Sequence, residues 1–155
     1  MYDADKLYPT NYAQKTMVME RKLLSDPLAY NLYSLFKLVG KVDKEKFYRS
    51  FAAVVARQSA LRTYFVEQDG EIYQKIAPQV EYETPVYKVN TVEELYNLKK
   101  SLNTPFDLEK APLFKTALIE LNDETYFFIN FHHSIADGTS TGIFFQEILD
   151  IYSDK

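Results

Sequence analysis

Two stretches of this sequence read as β-hairpins, and together they restrict the fold to one built around a sheet. Arg62 to Gln68 and Glu71 to Ile76 flank Asp69-Gly70, a dipeptide suited to the positive φ angles of a two-residue hairpin turn. Leu113 to Leu121 and Thr125 to His132 form a second pair across Asn122-Asp123. A third strand, Tyr30 to Val39, alternates, is rich in aromatics and ends at Gly40. Helices are expected between these strands. The first runs from Thr10 to about Leu24 and is broken by Asp26-Pro27. Asp43 opens the second, whose Phe47, Phe51, Val54 and Val55 have the spacing of one buried face. Thr91-Val92-Glu93-Glu94 has the form of a capping box and starts a short helix to about Leu102. Pro105 and Pro112 bracket a loop, and a last helix covers Thr139 to Ile151. Strands and helices alternate irregularly, so the expected class is α+β, with a mixed or antiparallel sheet and helices packed on it.

A chain of 155 residues can form one domain with its own core. It carries 18 Lys and Arg against 22 Asp and Glu, a net charge of −4 with no basic block. That balance argues against a nucleic-acid partner, which calls for concentrated positive charge. There is no cysteine, so disulfides, thiolate nucleophiles and thiolate metal sites are excluded. The polar N-terminus is unlike a signal peptide, and the apolar runs are too short to cross a bilayer. A cytoplasmic domain without a membrane partner is the expectation.

His132 and His133, the only histidines, stand where the last strand empties into Ser134-Ile135-Ala136-Asp137-Gly138. Histidine is the side chain whose ordinary pKa lies nearest neutrality, and a strand end is a rigid mount for proton transfer. Adjacent strand residues point to opposite faces, so one metal ion cannot easily take both rings. No cysteine or further histidine exists to complete a zinc shell. Both rings could instead be buried and hydrogen-bonded. Alternation favours a split, in which one supports the core and the other reaches a cavity. Asp137 could cap the final helix. Gly138 suits a sharp turn or a close approach to a ligand. A helix opening at Thr139 would aim N–H groups toward the histidines, where they could stabilise an oxyanion. Ser134 and Ser140 lie outside any Gly-x-Ser-x-Gly elbow, so direct attack of one substrate on another fits better than a covalent enzyme intermediate.

His132-His133-Ser134-Ile135-Ala136-Asp137-Gly138 resembles the HHxxxDG signature of nonribosomal peptide synthetase condensation domains, in the chloramphenicol acetyltransferase-like superfamily. Three further segments follow the family order. Tyr8 to Gln14 is similar to the opening LSxAQ stretch, Arg57 to Thr63 to RHEALRT, and Thr104 to Leu108 with Ala111-Pro112-Leu113 to PFDLxxxPL. The resemblance implies that His133 is catalytic and that His132, Asp137 and Arg62 are structural, with Asp137 paired to Arg62. It places Gly138 and Thr139 near the substrate or oxyanion. It implies amide formation between acyl or peptidyl and aminoacyl thioesters carried on the 4'-phosphopantetheine of donor and acceptor carrier proteins. No intrinsic cofactor and no metal are implied.

Members of that family have two similar lobes, with the active site between them. Residues 1–155 are therefore expected to be the N-terminal lobe, its C-terminal lobe absent and its activity alone negligible. Thr139 stands where many members carry Trp. Epimerisation, ester-forming and free-standing acyltransferase members share the motif, and a non-catalytic docking member is the alternative of a different class. A cyclisation domain would call for Asp in place of both histidines.

Overall fold

The computed structural model describes residue 3 and residues 5–155. In order, the elements are β1 (Tyr8–Pro9), α1 (Tyr12–Leu23), β2 (Asn31–Leu38), α2 (Lys44–Arg57), a 3-10 turn (Ser59–Arg62), β3 (Thr63–Gln68), β4 (Glu71–Ile76), β5 (Val86–Val89), α3 (Val92–Ser101), β6 (Phe114–Leu121), β7 (Glu124–His132) and α4 (Gly138–Tyr152). They form a four-stranded sheet in the order β2-β7-β6-β5 and a three-stranded sheet in the order β1-β4-β3. Every pairing is antiparallel except β5 with β6. The α+β class with a mixed sheet is as expected.

Local chemistry sets the boundaries. Asp69 and Gly70 both have positive φ, 54° and 78°, as the hairpin turn between β3 and β4 requires. Asn122 takes φ 54° in the turn between β6 and β7. Asn11 caps α1 and exchanges hydrogen bonds with Gln14, so this helix starts two residues after Thr10. Asp43 caps α2 by accepting the Lys46 N–H at 3.0 Å. Only half of the capping box expected at α3 forms. Thr91 accepts the Glu94 N–H at 3.1 Å, but the Glu94 carboxylate takes the Asn90 N–H at 2.6 Å instead of that of Thr91.

β7 is the structural centre of the larger sheet, hydrogen-bonded to β2 on one side and β6 on the other. Its odd-numbered residues Phe127, Ile129 and Phe131 join a core with Phe51 and Val54 of α2 and Phe144 and Ile148 of α4. Phe51 meets Phe114, Phe127 and Phe144 edge-to-face at 5.7, 5.9 and 5.6 Å, each such pair adding about 0.5–1.5 kcal/mol beyond its burial. On the opposite face, Phe128 packs with Ala117, Ile119 and Leu95 of α3. Burial on both faces makes β7 a stiff support for the residues at its end. Strands β1 and β5 were not anticipated from the sequence.

Candidate active site

β7 ends at His132, opposite Asn31 of β2. The next residue donates its backbone N–H to the Tyr30 carbonyl at 2.8 Å, which holds His133 in line with the strand. Strand alternation then sends the two rings to opposite sides of the sheet. His132 is 2% exposed and lies between the rings of Tyr30 and Phe106, with centroids 6.1 and 6.3 Å away. Its Nδ1 accepts the Ser134 N–H at 3.3 Å and lies 2.7 Å from the Ser134 hydroxyl. A backbone N–H can only donate, so Nδ1 carries the lone pair and Nε2 the proton. Burial, reinforced by the charges of Arg21 and His133, pushes the His132 pKa down to about 4. His132 is thus neutral at ordinary pH.

His133 is half-buried, and its Nδ1 lies 2.9 Å from the Ala136 carbonyl oxygen. A carbonyl only accepts, so Nδ1 carries a proton, and in the neutral ring the lone pair is on Nε2. In their neutral forms the two imidazoles are therefore opposite tautomers. The loop that fixes it is pinned at Ser134, whose carbonyl accepts from Gln14 Nε2 at 3.1 Å. Gln14 also reaches Gln74 Oε1 at 3.0 Å, tying the loop to α1 and the smaller sheet. No sequence spacing marked this role for Gln14. Its place in the capping box at the start of α1 was the nearest available signal.

Asp137 is the N-cap of α4. Its carboxylate accepts the Ser140 N–H at 2.7 Å, while its own N–H donates to the Ser140 hydroxyl at 2.7 Å. The Ser140 N–H is the main reason its carboxyl lies below the usual range, with smaller contributions from the Ser140 hydroxyl, His133 and the Thr139 N–H. This arrangement corrects two expectations. Asp137 does not pair with Arg62. The guanidinium donates instead to four carbonyls, to Val55 at 3.3 Å, Ala56 at 3.2 Å and Pro78 at 3.3 Å, and to Ala77. The start of α4 is also not a set of free N–H groups, because Asp137 takes that of Ser140 and draws that of Thr139. Gly138 is the first-turn residue whose N–H is not drawn to Asp137. A double-mutant cycle combining Asp137→Ala with Arg62→Met should show coupling within about 0.5 kcal/mol. Asp137→Ala alone should cost about 1 kcal/mol as a lost cap. Coupling well above that limit in urea unfolding would restore the ion pair.

A Cβ placed on Gly138 would meet nothing within 4 Å, so packing inside this chain does not require glycine there. Gly138 borders an open apolar cavity of about 700 Å³, walled by Phe36, Leu38, Phe47, Phe145 and Ile148. Thr139 is exposed. The structure thus gathers His133, Asp137, Gly138 and Thr139 at one turn and leaves Arg62 as a separate backbone clamp. Among the described residues, no three His, Cys, Asp or Glu side chains are grouped to hold a metal. Among the same residues, no helix is long and apolar enough to cross a membrane.

The fold is a helix-backed mixed sheet with two histidines where one of its two inner strands, β7, ends. The chain belongs to the condensation-domain family, whose model matches residues 4–155. Tyrocidine synthase 3 of Brevibacillus parabrevis is 36% identical over 149 residues, covering 96% of this chain and 2% of that synthase. Bacitracin synthase 3 of Bacillus licheniformis is 34% identical over 149 residues, with the same two coverages, 96% and 2%. Among solved structures, the starter condensation domain of rhizomide synthetase superposes with a TM-score of 0.85 at 21% identity, over 96% of this chain and 38% of that one. The first condensation domain of the calcium-dependent antibiotic synthetase gives 0.82 at 19% identity, again over 96% and 38%. At these identities the superpositions establish the fold. The chain spans a small part of its curated relatives and about two-fifths of the solved chains.

Proposed function

We propose that residues 1–155 are the N-terminal lobe of a condensation domain that forms an amide between two carrier-bound thioesters. The acceptor amine attacks the carbonyl carbon of the donor acyl or peptidyl thioester, forming the C–N bond. His133 Nε2 receives the proton that the amine must lose. The C–S bond then breaks and the proton passes to the departing phosphopantetheine thiol. The reaction is redox-neutral and needs no intrinsic cofactor. Gly138 lies along the reacting arm, where its lack of a side chain leaves room. His132 and Asp137 support the motif without touching substrate, while Arg62 holds the end of α2 to the segment after β4. The reading rests above all on the geometry of His133, whose Nδ1 is committed to Ala136 and which leaves Nε2 as the nitrogen for the substrate. The partners are the donor and acceptor carrier proteins and the second lobe of the same domain.

The test is single-turnover condensation with one carrier protein loaded with an acyl group and another with an amino acid. The complete two-lobed domain should release the amide, and residues 1–155 alone should give none above background. Acyl transfer gains much of its rate from holding both reactants in attack geometry, with effective molarities of about 10⁵–10⁸ M, and one lobe supplies half of the walls. Absence of product from the complete domain would overturn the condensation reading. Turnover by the 155 residues alone would overturn the two-lobed account.

A further inference from the structure

Among the described residues, three buried side-chain atoms have no hydrogen-bond partner: Asn31 Oδ1, Asn130 Oδ1 and His132 Nε2. They belong to one corner of the molecule. Asn31 lies opposite His132 across the β2–β7 ladder, and Asn130 precedes His132 by two residues on the same strand face. Asn130 is 0% exposed. The two asparagines meet at Asn103, whose Oδ1 accepts from Asn31 Nδ2 at 2.8 Å and from Asn130 Nδ2 at 3.0 Å. Asn31 Nδ2 also donates to the Thr104 carbonyl at 3.0 Å. Because a carbonyl only accepts, these bonds fix which end of each amide is nitrogen, and both oxygens face away from Asn103.

We infer that this corner is a hydration site holding a single internal water, which accepts from His132 Nε2–H and donates to Asn31 Oδ1 and Asn130 Oδ1. The stoichiometry matches the chemistry. One unpaired donor and two unpaired acceptors are what one water can satisfy, and buried waters typically make about three hydrogen bonds. A monovalent cation would suit two amide oxygens but would be repelled by the imidazole N–H. The tautomer therefore selects water. So placed, the water joins β2 and β7 beneath the histidine motif, beside the Asn103 bridge to the loop after α3. It is a positioning element for the strand end, on the face opposite His133.

Two measurements on the unmodified chain test this. With ¹⁵N-labelled histidine, His132 should show the Nε2–H tautomer and a cross-relaxation peak between that proton and water. A high-resolution crystal structure should place one solvent atom within about 2.7–3.2 Å of all three polar atoms. An Nδ1–H tautomer would overturn the proposal. So would a direct bond from Nε2 to either asparagine, or well-ordered density with no solvent atom there. Anomalous density at the same point after a rubidium soak would replace the water with a cation and equally overturn it.

Discussion

His133→Ala in the complete condensation domain is expected to lower single-turnover amide formation by about 10²–10⁴-fold, the usual worth of a positioned acid–base group. The fold should survive, because the lost ring is half-buried and, among the described residues, its hydrogen bond goes to the Ala136 carbonyl. A net cost of about 1 kcal/mol is typical of one such bond, so thermal melts should shift by a few degrees. The large effect on rate follows from the tautomer. An attacking amine must surrender a proton, and Nε2 is the lone pair that the strand end presents. His132 cannot substitute for it. Its ring lies on the other face of the sheet, and its Nδ1 lone pair is occupied by Ser134. Near-normal amide formation by a folded His133→Ala domain would remove His133 from catalysis and favour a docking role for the chain.

The sequence revealed the parts of the fold that depend on neighbours along the chain. The hairpins across Asp69-Gly70 and Asn122-Asp123 announced themselves through turn chemistry, and α2 through its spacing of apolar residues. β5 did not, because its four residues pair in parallel with β6, a partner reached only after α3 intervenes. β1 has two residues, one of them a proline, and gains its strand character only from β4. The burial of His132 beside a half-buried His133 was legible because alternation within one strand is a local rule. The bond expected between Asp137 and Arg62 was not a local matter. The last carbonyls of a helix lack intrahelical partners, and Val55 and Ala56 at the end of α2 take the Arg62 guanidinium for that reason. This demand at a helix C-terminus left no trace in the pattern of side chains, whereas the caps at the N-termini did. Asp137 meets a similar demand at the other end of a helix, satisfying the N–H of Ser140.

His132 should make the folded chain sensitive to acid over a window set by its own pKa. Burial lowers that pKa from the usual 6.5 to about 4, so the fold favours the neutral ring. Above pH 6.5 the ring is neutral in both folded and unfolded chains, and its full contribution is present. As pH falls from 6.5 toward 4, the unfolded chain takes up a proton that the folded chain refuses, and stability declines. At about 1.4 kcal/mol per pH unit, the loss should total roughly 3 kcal/mol before it levels off. The carboxylates of Glu120, Glu124, Asp107 and Asp137 also have lowered pKa values, but their losses begin only near the unfolded values of 4.5 and 3.8, where the unfolded chain starts to protonate them, and so fall at and below the acid end of the His132 window. Urea unfolding at stepped pH, run in parallel on His132→Gln, separates the two sources. The variant gives up the hydrogen bonds at Ser134 and should start less stable at neutral pH, yet its decline between 6.5 and 4 should be shallower by about 3 kcal/mol. Equal slopes for the two proteins would mean that His132 exchanges its proton freely when folded. In that case it would no longer be the silent member of the pair, and the assignment of proton transfer to His133 alone would fail with it.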